Sequence, residues 1–371
     1  MTRRIKVMTI FGTRPEAIKM APLVLELKNR HKEFEPIVTV TAQHREMLDQ
    51  VLSIFDIVPD YDLNMMKHGQ TLAQIAARAV DGLDAIMKEA QPDIVLVHGD
   101  TSTTFAGSLA AYYNQITVGH VEAGLRTWDK YSPFPEEVNR QLTGVLADLH
   151  FSPTERAKQN LLNENKLDEH IFVTGNTAID ALKTTVKDTY TNPVLDHVGS
   201  KRLVLLTAHR RENLGSNMEQ MFRAIKLLVE THDDIHVIYP VHLNPAVQKV
   251  AKDILGDDER IQLIEPLDVI DFHNIAAKSH LILTDSGGIQ EEAPSLGVPV
   301  LVLRDTTERP EGIEAGTLKL VGTDEDVIFT EANELLSHPE SHDQMAKASN
   351  PYGDGQASKR IADIISEYFK K

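Results

Sequence analysis

Short apolar segments alternate with longer segments of helical period along nearly the whole chain. The apolar segments are continuous and rich in β-branched residues, which is typical of parallel strands covered on both faces. The intervening segments repeat apolar residues every three or four positions, as amphipathic helices do. The pattern therefore predicts an α/β fold. The predicted strands are 5–11, 36–41, 94–98, 117–122, 149–152, 171–174, 203–207, 235–239, 261–264, 281–284 and 298–303.

These strands fall into two series, which predicts two doubly wound, Rossmann-like domains. Gly175 and Asn176 open a helix after the sixth strand, and the polar stretch 187–201 has no clear period. We therefore predict an N-terminal domain over 1–174 and a C-terminal domain over 175–356. Residues 357–371 form an amphipathic pattern after a turn-rich segment, and we expect this last helix to pack back on the first domain.

Composition limits the classes of function. The 371 residues carry a net charge of −17, which argues against a surface built to bind nucleic acid or anionic lipid. The absence of cysteine excludes disulfides, thiolate zinc sites and thiol nucleophiles. No HExxH motif is present, so we expect no metal, and without GxGxxG we expect no dinucleotide cofactor. No apolar run reaches the length of a membrane span, which predicts a soluble, cytoplasmic protein.

Ligands of open parallel sheets bind beyond the carboxyl ends of the strands, and polar side chains are concentrated there. After the first strand, Arg14 and Lys19 flank a helix start and could face a phosphate, or could be an exposed cation pair. Asp100 follows the third strand and is either a helix N-cap or a carboxylate directed at a ligand. The capping role is the simpler of the two. The sequence leaves both pairs of alternatives open.

Two glutamates add acid–base candidates to the first half. Glu122 ends an apolar strand, where a partly buried carboxylate needs a partner. Glu136 stands at a helix start, where its alternative to an acid–base role is to complement the helix dipole. His98 and His120 lie inside strands and read as satisfied core histidines. The second half offers His209 and Arg210 directly after a strand, with His209 the best acid–base candidate by residue type.

A glycine pair marks the second half as a phosphate-binding candidate. Ser286, Gly287 and Gly288 follow the strand at 281–284, and glycines at a helix start let backbone N–H groups approach a phosphate. Glu292, one turn further, could accept hydrogen bonds from ribose hydroxyls. The alternative is a Ser N-cap followed by acids that complement the helix dipole.

Motifs throughout the chain resemble those of the non-hydrolysing bacterial UDP-N-acetylglucosamine 2-epimerases. They occur in order and span nearly the whole sequence, which is far more specific than any single motif. The matching blocks are FGTRPEAIKMAP (11–22), TAQHR (41–45), VHGDT (97–101), GHVEAGLRT (119–127), HRRE (209–212), YPVHLNP (239–245), TDSGGIQEEAP (284–294), RDTTERPE (304–311) and NPYGDG (350–355).

The resemblance implies the GT-B architecture, two Rossmann-like domains facing a central cleft and closing on the substrate, in a homodimer. It implies an isomerase that interconverts UDP-GlcNAc and UDP-ManNAc for cell-surface polysaccharide. In this family UDP is eliminated across C1–C2 to give 2-acetamidoglucal, and is then added back with the proton on the other face of C2. A hydrolysing epimerase, a GT-B glycosyltransferase and a non-catalytic UDP-sugar sensor are the alternatives.

The same resemblance implies roles for individual residues. The matches to catalytic positions are Asp100, Glu122, Glu136 and His209, without an assignment of the base on each face of C2. The residues expected to bind UDP are Arg14, Lys19, Arg210, Phe272, Ser286, Gly287, Gly288 and Glu292. The residues expected to bind a second UDP-GlcNAc as an activator are Gln43, Glu136, Arg210 and His242. Some members that bind the activator carry Gln and Arg where this chain has Glu46 and Gly69.

Overall fold

A computed structural model describes residues 3–42, 45–66, 69–307 and 309–370, without the side chain of Arg211. The chain divides into two compact units. The first comprises Met1–Thr184 together with Tyr352–Lys371, and the second comprises Thr185–Pro351. No helix in the described ranges is long and apolar enough to cross a membrane.

The first unit is built on a seven-stranded parallel sheet in the order β3-β2-β1-β4-β5-β6-β7. Its strands are β1 Ile5–Phe11, β2 Phe34–Val40, β3 Tyr61–Asp62, β4 Ile94–His98, β5 Thr117–Val121, β6 Leu149–Ser152 and β7 Ile171–Val173. Its helices are α1 Arg14–Asn29, α2 Arg45–Ile54, α3 Leu72–Ala90, α4 Ser102–Tyr113, α5 Glu136–Leu146, α6 Glu155–Asn163, α7 Thr177–Thr185 and, at the C-terminus, α16 Ala357–Tyr368. The strand order reverses between β1 and β4, so ligands are expected beyond those two strands.

The second unit repeats this plan with six parallel strands in the order β10-β9-β8-β11-β12-β13. Its strands are β8 Arg202–Thr207, β9 Ile235–Pro240, β10 Ile261–Ile264, β11 Leu281–Thr284, β12 Val300–Val302 and β13 Leu318–Leu320. Its helices are α8 Pro193–Asp196, α9 Ser216–Thr231, α10 Pro245–Leu255, α11 Val269–Ala277, α12 Gly287–Glu292, α13 Pro310–Glu314, α14 Glu325–Ser337 and α15 Pro339–Ala346. The reversal here lies between β8 and β11.

The α/β class with two doubly wound parallel sheets is confirmed. Each sheet is covered on both faces: β1 has Val7 and Phe11 in one apolar cluster and Met8 and Ile10 in another. Burial on both faces explains why the strands read as continuous apolar runs. The edge strands β3 and β13 escaped the sequence pattern, since they are two and three residues long.

The division between the units differs from the one drawn from the sequence. It falls after Thr184, so the whole of α7 except its last residue belongs to the first unit, and the second unit ends at Pro351. Helix α16 packs in the first unit, where Ile361 and Ile365 join the buried cluster of α1. Arg30 at the end of α1 also donates to Asp363 of α16 at 2.6 Å.

Candidate active site at the carboxyl ends of the strands

The turn after β1 is held by a buried glutamate. Glu16 Oε2 accepts the backbone N–H groups of Gly12 at 3.0 Å and Thr13 at 2.8 Å, and Glu16 Oε1 accepts the Thr101 hydroxyl at 2.6 Å. Burial raises the pKa of Glu16, and these hydrogen bonds oppose the rise. A Cβ at Gly12 would lie 2.0 Å from Oγ1 of Thr41, so only glycine fits this close approach. The turn that carries Arg14 is therefore fixed from inside the unit.

Glu122 directly follows β5, in a left-handed conformation with φ of 62°. Its carboxylate is 10% exposed and forms an ion pair with Lys19. It also accepts the Asn176 amide at 2.9 Å, and Nε2 of His98 lies 3.7 Å away. The sequence paired Lys19 with Arg14 for a phosphate, whereas the structure places Lys19 on Glu122. The need of Glu122 for a partner, predicted from its apolar neighbours, is confirmed.

The two strand histidines have different surroundings. His120 Nε2 lies 2.7 Å from the carbonyl of Gly99, but its buried Nδ1 has no hydrogen-bond partner among the described residues, so the ring is only half satisfied. His98 instead lies beside Glu122. Burial lowers the pKa of His98 to about 4 and that of His120 to about 3. Both rings are therefore uncharged at neutral pH, and Lys19 rather than His98 supplies the positive charge next to Glu122.

Asp100 lies beyond β4 and is not the N-cap of α4. Thr101 takes that position, with its hydroxyl accepting the N–H of Thr104 at 3.1 Å, so the capping interpretation is wrong. The Asp100 carboxylate forms an ion pair with Arg140 of α5, and its carbonyl accepts the Asn139 amide at 2.9 Å. Burial raises the pKa of Asp100, Arg140 lowers it, and the charge of Glu122 raises it again. Asp100 and Glu122 are therefore electrostatic neighbours.

Glu136 and Glu137 form the first turn of α5 but differ in burial. Glu136 is partly exposed, as its predicted place at a helix start allows, whereas Glu137 is fully buried. Glu137 was not singled out from the sequence. The available signal was Arg140 three residues later, the spacing at which side chains on a helix meet.

In the second unit a buried aspartate organises the ends of β8 and β11. Asp285 Oδ2 accepts the backbone N–H groups of His209 and Arg210, each at 2.9 Å, and Oδ1 lies 3.0 Å from Nδ1 of His209. Burial alone would raise the pKa of Asp285, but the contacts of His209 and these N–H groups outweigh it and lower the pKa. The sequence marked His209 as an acid–base candidate but missed the carboxylate that orients its ring.

His209 also meets His242, which follows β9. The two rings stack with centroids 5.9 Å apart and planes inclined by 22°. His242 Nδ1 accepts the N–H of Asn244 at 3.1 Å, and its ring is exposed. Arg210 is fixed through its Nε, which donates to the Asp285 carbonyl at 2.9 Å. The structure thus brings His209, Arg210 and His242 together.

The glycine pair begins α12, as predicted, with Ser286 at the N-cap position. The Ser286 side chain makes no capping hydrogen bond, which weakens the purely structural explanation for it. Glu292 Oε2 lies 3.4 Å from Nε2 of the buried His273, whose ring contacts Phe272. Glu292 on α12 and Phe272 on α11, the residues predicted to contact ribose and uracil, therefore lie close together.

The remaining positions concern the expected activator and metal. Gln43 lies outside the described residues. Glu46 lies in the first turn of α2, and Gly69 has a left-handed φ of 74°. Among the described residues no cluster of histidine and carboxylate side chains is suited to a metal ion.

Comparison with known proteins identifies the family. The family model described as UDP-N-acetylglucosamine 2-epimerase matches residues 26–366. The chain is 68% identical over 363 residues to the Bacillus subtilis UDP-N-acetylglucosamine 2-epimerase, covering 98% of this chain and 95% of that protein.

Solved structures agree in fold with this chain. The crystal structure of a putative UDP-N-acetylglucosamine 2-epimerase from Listeria monocytogenes matches with a TM-score of 0.96 and 63% identity, covering 99% of this chain and 97% of that one. The Neisseria meningitidis UDP-GlcNAc 2-epimerase bound to UDP-GlcNAc matches with a TM-score of 0.88 and 49% identity, covering 98% and 100%. Because the family model and these relatives match nearly the whole chain, the chain belongs to the UDP-N-acetylglucosamine 2-epimerase family.

Proposed function

We propose that this isomerase interconverts UDP-GlcNAc and UDP-ManNAc by eliminating and re-adding UDP, and so supplies ManNAc units for cell-surface polysaccharide. The observation that carries the mechanism is the pair of neighbouring carboxylates, Asp100 and Glu122, each held by its own cation beyond the strands of the first unit. Both the cytoplasmic location and the polysaccharide remain predictions.

The chemistry requires a proton to leave C2, where the C–H bond is only weakly acidic. A carboxylate of the first unit takes this proton as the C1–O bond breaks and its electron pair leaves with UDP, which gives 2-acetamidoglucal. In the return step C2 receives a proton on the opposite face, and the diphosphate oxygen adds back to C1. Two differently placed acid–base groups are therefore needed, and Asp100, Glu122 and Glu136 are the candidates.

The environment of Asp100 suits one of these roles. Since burial raises its pKa above that of an ordinary aspartate, its protonated and ionised forms are closer in free energy near neutral pH. Arg140 keeps the ionised form accessible. Glu122 has Lys19 beside it, and this cation can also face a departing diphosphate.

The second unit supplies groups suited to UDP. Arg210 and the backbone N–H groups at Ser286, Gly287 and Gly288 are donors for a diphosphate, with Arg14 and Lys19 as further cations from the first unit. Glu292 is an acceptor for ribose hydroxyls and Phe272 a flat surface for uracil. His209, half exposed and with its Nδ1 beside Asp285, offers Nε2 for proton transfer.

Incubation of UDP-GlcNAc with the protein in D₂O tests this function. We expect deuterium at C2 in both epimers and a minority of UDP-ManNAc, because each passage through the glycal takes the new C2 hydrogen from solvent. Free ManNAc as the main product would support the hydrolysing alternative, and transfer of the sugar to an acceptor would support a glycosyltransferase. No exchange at C2 would reject the epimerase mechanism and favour a binding protein.

We also expect a homodimer, as the family resemblance implies. Helices α4 and α5 carry exposed apolar side chains, namely Tyr112, Tyr113, Leu142 and Val145. Neighbouring exposed apolar residues are typical of protein–protein contacts. Sedimentation equilibrium should give a dimer mass, and charged substitutions at Tyr113 and Val145 should shift it towards the monomer.

Binding of a second UDP-GlcNAc as an activator is the remaining expectation. Three of its predicted residues are described: Glu136, Arg210 and His242. The stacking of His242 on His209 links this group to a catalytic candidate. We expect the rate of UDP-ManNAc conversion to rise on addition of UDP-GlcNAc, and His242→Ala to reduce the activation more than the basal rate. Simple saturation without activation would contradict the second site.

A further inference from the structure

Glu137 makes more hydrogen bonds than an acidic residue in the first turn of a helix normally does. It is fully buried, and its carboxylate accepts four hydrogen bonds. Two come from the backbone N–H groups of Thr127 and Trp128, both at 3.1 Å. The others come from Gln141 at 2.9 Å and from Nη1 of Arg140 at 3.3 Å. A buried carboxylate is costly unless its oxygens are satisfied, and here both are.

Arg140 connects this carboxylate to the candidate site. Its Nη1 donates to Glu137, whereas its Nη2 donates to Asp100. The Arg140 side chain is 11% exposed, and its Nε has no partner among the described residues. One rigid, planar guanidinium is thus shared between two carboxylates, and its orientation depends on both.

The backbone that Glu137 holds is the start of an unusual loop, residues 127–134. Trp128 has a left-handed φ of 65°, which is uncommon for a large side chain. Three aromatic residues of this loop, Trp128, Tyr131 and Phe134, are 58%, 69% and 61% exposed. The exposed aromatic loop and the Asp100 carboxylate therefore depend on the same support.

We propose that Glu137 is a positioning residue that couples docking of the 127–134 loop to the orientation of Asp100 through Arg140. The Asp100 carboxylate is held for proton transfer when the N–H groups of Thr127 and Trp128 are bound to Glu137. Release of the loop frees Arg140 to rotate and loosens Asp100. This role rests on the proposed function for Asp100 and adds a loop that controls it.

Glu137→Gln tests the coupling, because glutamine keeps the shape but loses the charge that binds Arg140. We expect kcat for C2 exchange to fall about 100-fold with little change in KM, as misplacement of a catalytic group does. Trp128 is the single tryptophan of the chain, so its fluorescence reports the loop directly. We expect acrylamide to quench Trp128 more strongly in the variant than in the wild type.

Glu164→Gln is the matched control. Glu164 pairs with the buried Arg126 at 2.6 and 2.9 Å, immediately before the same loop, but it makes no described contact with Asp100. We expect this variant to lose stability and keep its kcat below its unfolding temperature. An equal loss of kcat in Glu164→Gln and Glu137→Gln would overturn the proposal, since general loosening would then explain both.

Arg140→Lys serves if Glu137→Gln does not fold. Lysine keeps a positive charge beside Asp100 but cannot bridge two carboxylates, so the same loss of kcat and the same rise in quenching are expected. Wild-type values for both would overturn the coupling. Because the fluorescence measurement needs no turnover, it tests the coupling through Glu137 independently of the proposed epimerase function. Absence of C2 exchange in the wild type rejects the proposed function, and normal kcat or quenching in Glu137→Gln rejects the inference.

Discussion

The carboxylates beyond the strands of the two units have different kinds of partner. In the first unit Glu122 and Asp100 meet the side-chain cations of Lys19 and Arg140. In the second unit Asp285 accepts two backbone N–H groups and the Asn213 amide through Oδ2, and its Oδ1 lies 3.0 Å from Nδ1 of His209. A lysine or arginine side chain can leave its carboxylate and bind an anionic group of the substrate instead, whereas a backbone N–H group keeps its position. The carboxylates of the first unit are therefore suited to gaining and losing charge during a reaction, and Asp285 is suited to holding a loop in place.

The pKa directions of the two aspartates follow the same division. Asp100 and Asp285 are both buried, and burial raises the pKa of each. At Asp285 the contacts of His209 and two N–H groups outweigh burial, so its pKa is lowered. At Asp100 the Arg140 pair is opposed by the charge of Glu122, and the pKa stays raised. Of the two aspartates, Asp100 is therefore the one whose environment favours the protonated form more.

Glu122→Gln tests the chemical side of this comparison and has the largest expected effect. Loss of the carboxylate should lower the rate of C2 deuterium exchange about 10³-fold, since it removes a proton-transfer group. UDP binding, measured by calorimetry, should persist. Exchange within tenfold of the wild type would assign Glu122 a structural role beside Lys19.

Asp285→Asn tests the scaffold side. Asparagine cannot accept from every donor around Asp285, so the free energy of unfolding should fall by about 2 kcal/mol. UDP affinity should fall as well, because the backbone N–H groups of His209 and Arg210 lose the carboxylate that accepts them both. Asp234→Asn is the control, since Asp234 forms a surface pair with Arg202 that contributes at most about 1 kcal/mol. Equal stability of the two variants would contradict a scaffold role for Asp285.

The first unit should also be the more sensitive to acid, through histidines on three neighbouring strands. Burial lowers the pKa of His98 and His150 to about 4 and that of His120 to about 3. Between the ordinary pKa of about 6.5 and these values, the unfolded chain binds protons that the folded unit does not. Stability should therefore fall as pH drops through this range, by about 1.4 kcal/mol per pH unit for each histidine.

His150→Gln should reduce the pH dependence of the free energy of unfolding by the contribution of one histidine. Denaturant unfolding at several pH values between 7 and 4.5 measures the slope, and the range between 7 and 9 is the internal control. An unchanged slope in the variant would show that His150 is protonated equally in both states.

Gly288→Ala has the smallest expected effect on stability. A Cβ at Gly288 would lie 4.0 Å from Glu292, so the folded unit has room for it. Alanine in a helix should raise the free energy of unfolding by about 0.5 kcal/mol. If the N–H groups here bind the diphosphate closely, UDP affinity should nevertheless fall. Unchanged UDP affinity would place the diphosphate elsewhere.

The strand ends could be found from the sequence, but their partners could not. The central strands β1 and β4 were predicted because apolar side chains cover both faces of a parallel sheet, whereas the short edge strand β3 carried too little pattern. Glu122 was expected to need a partner, yet that partner, Lys19, lies on α1, 103 positions away in the chain. Asp100 was hard to interpret because it precedes a helix, where capping was a sufficient local explanation, and Glu137 was not singled out at all, although it begins a helix three residues before Arg140.

The sequence by itself determined the two parallel-sheet series, the family and the set of ionisable residues beyond the strands, because these depend on local periodicity and on motifs. The tertiary structure decided which of these residues meet. It made Thr101 rather than Asp100 the cap of α4, placed Arg140 between Asp100 and Glu137, and oriented His209 on Asp285. Such pairs form only when separate elements pack together, because the cost of burying a charge selects the partner that satisfies it.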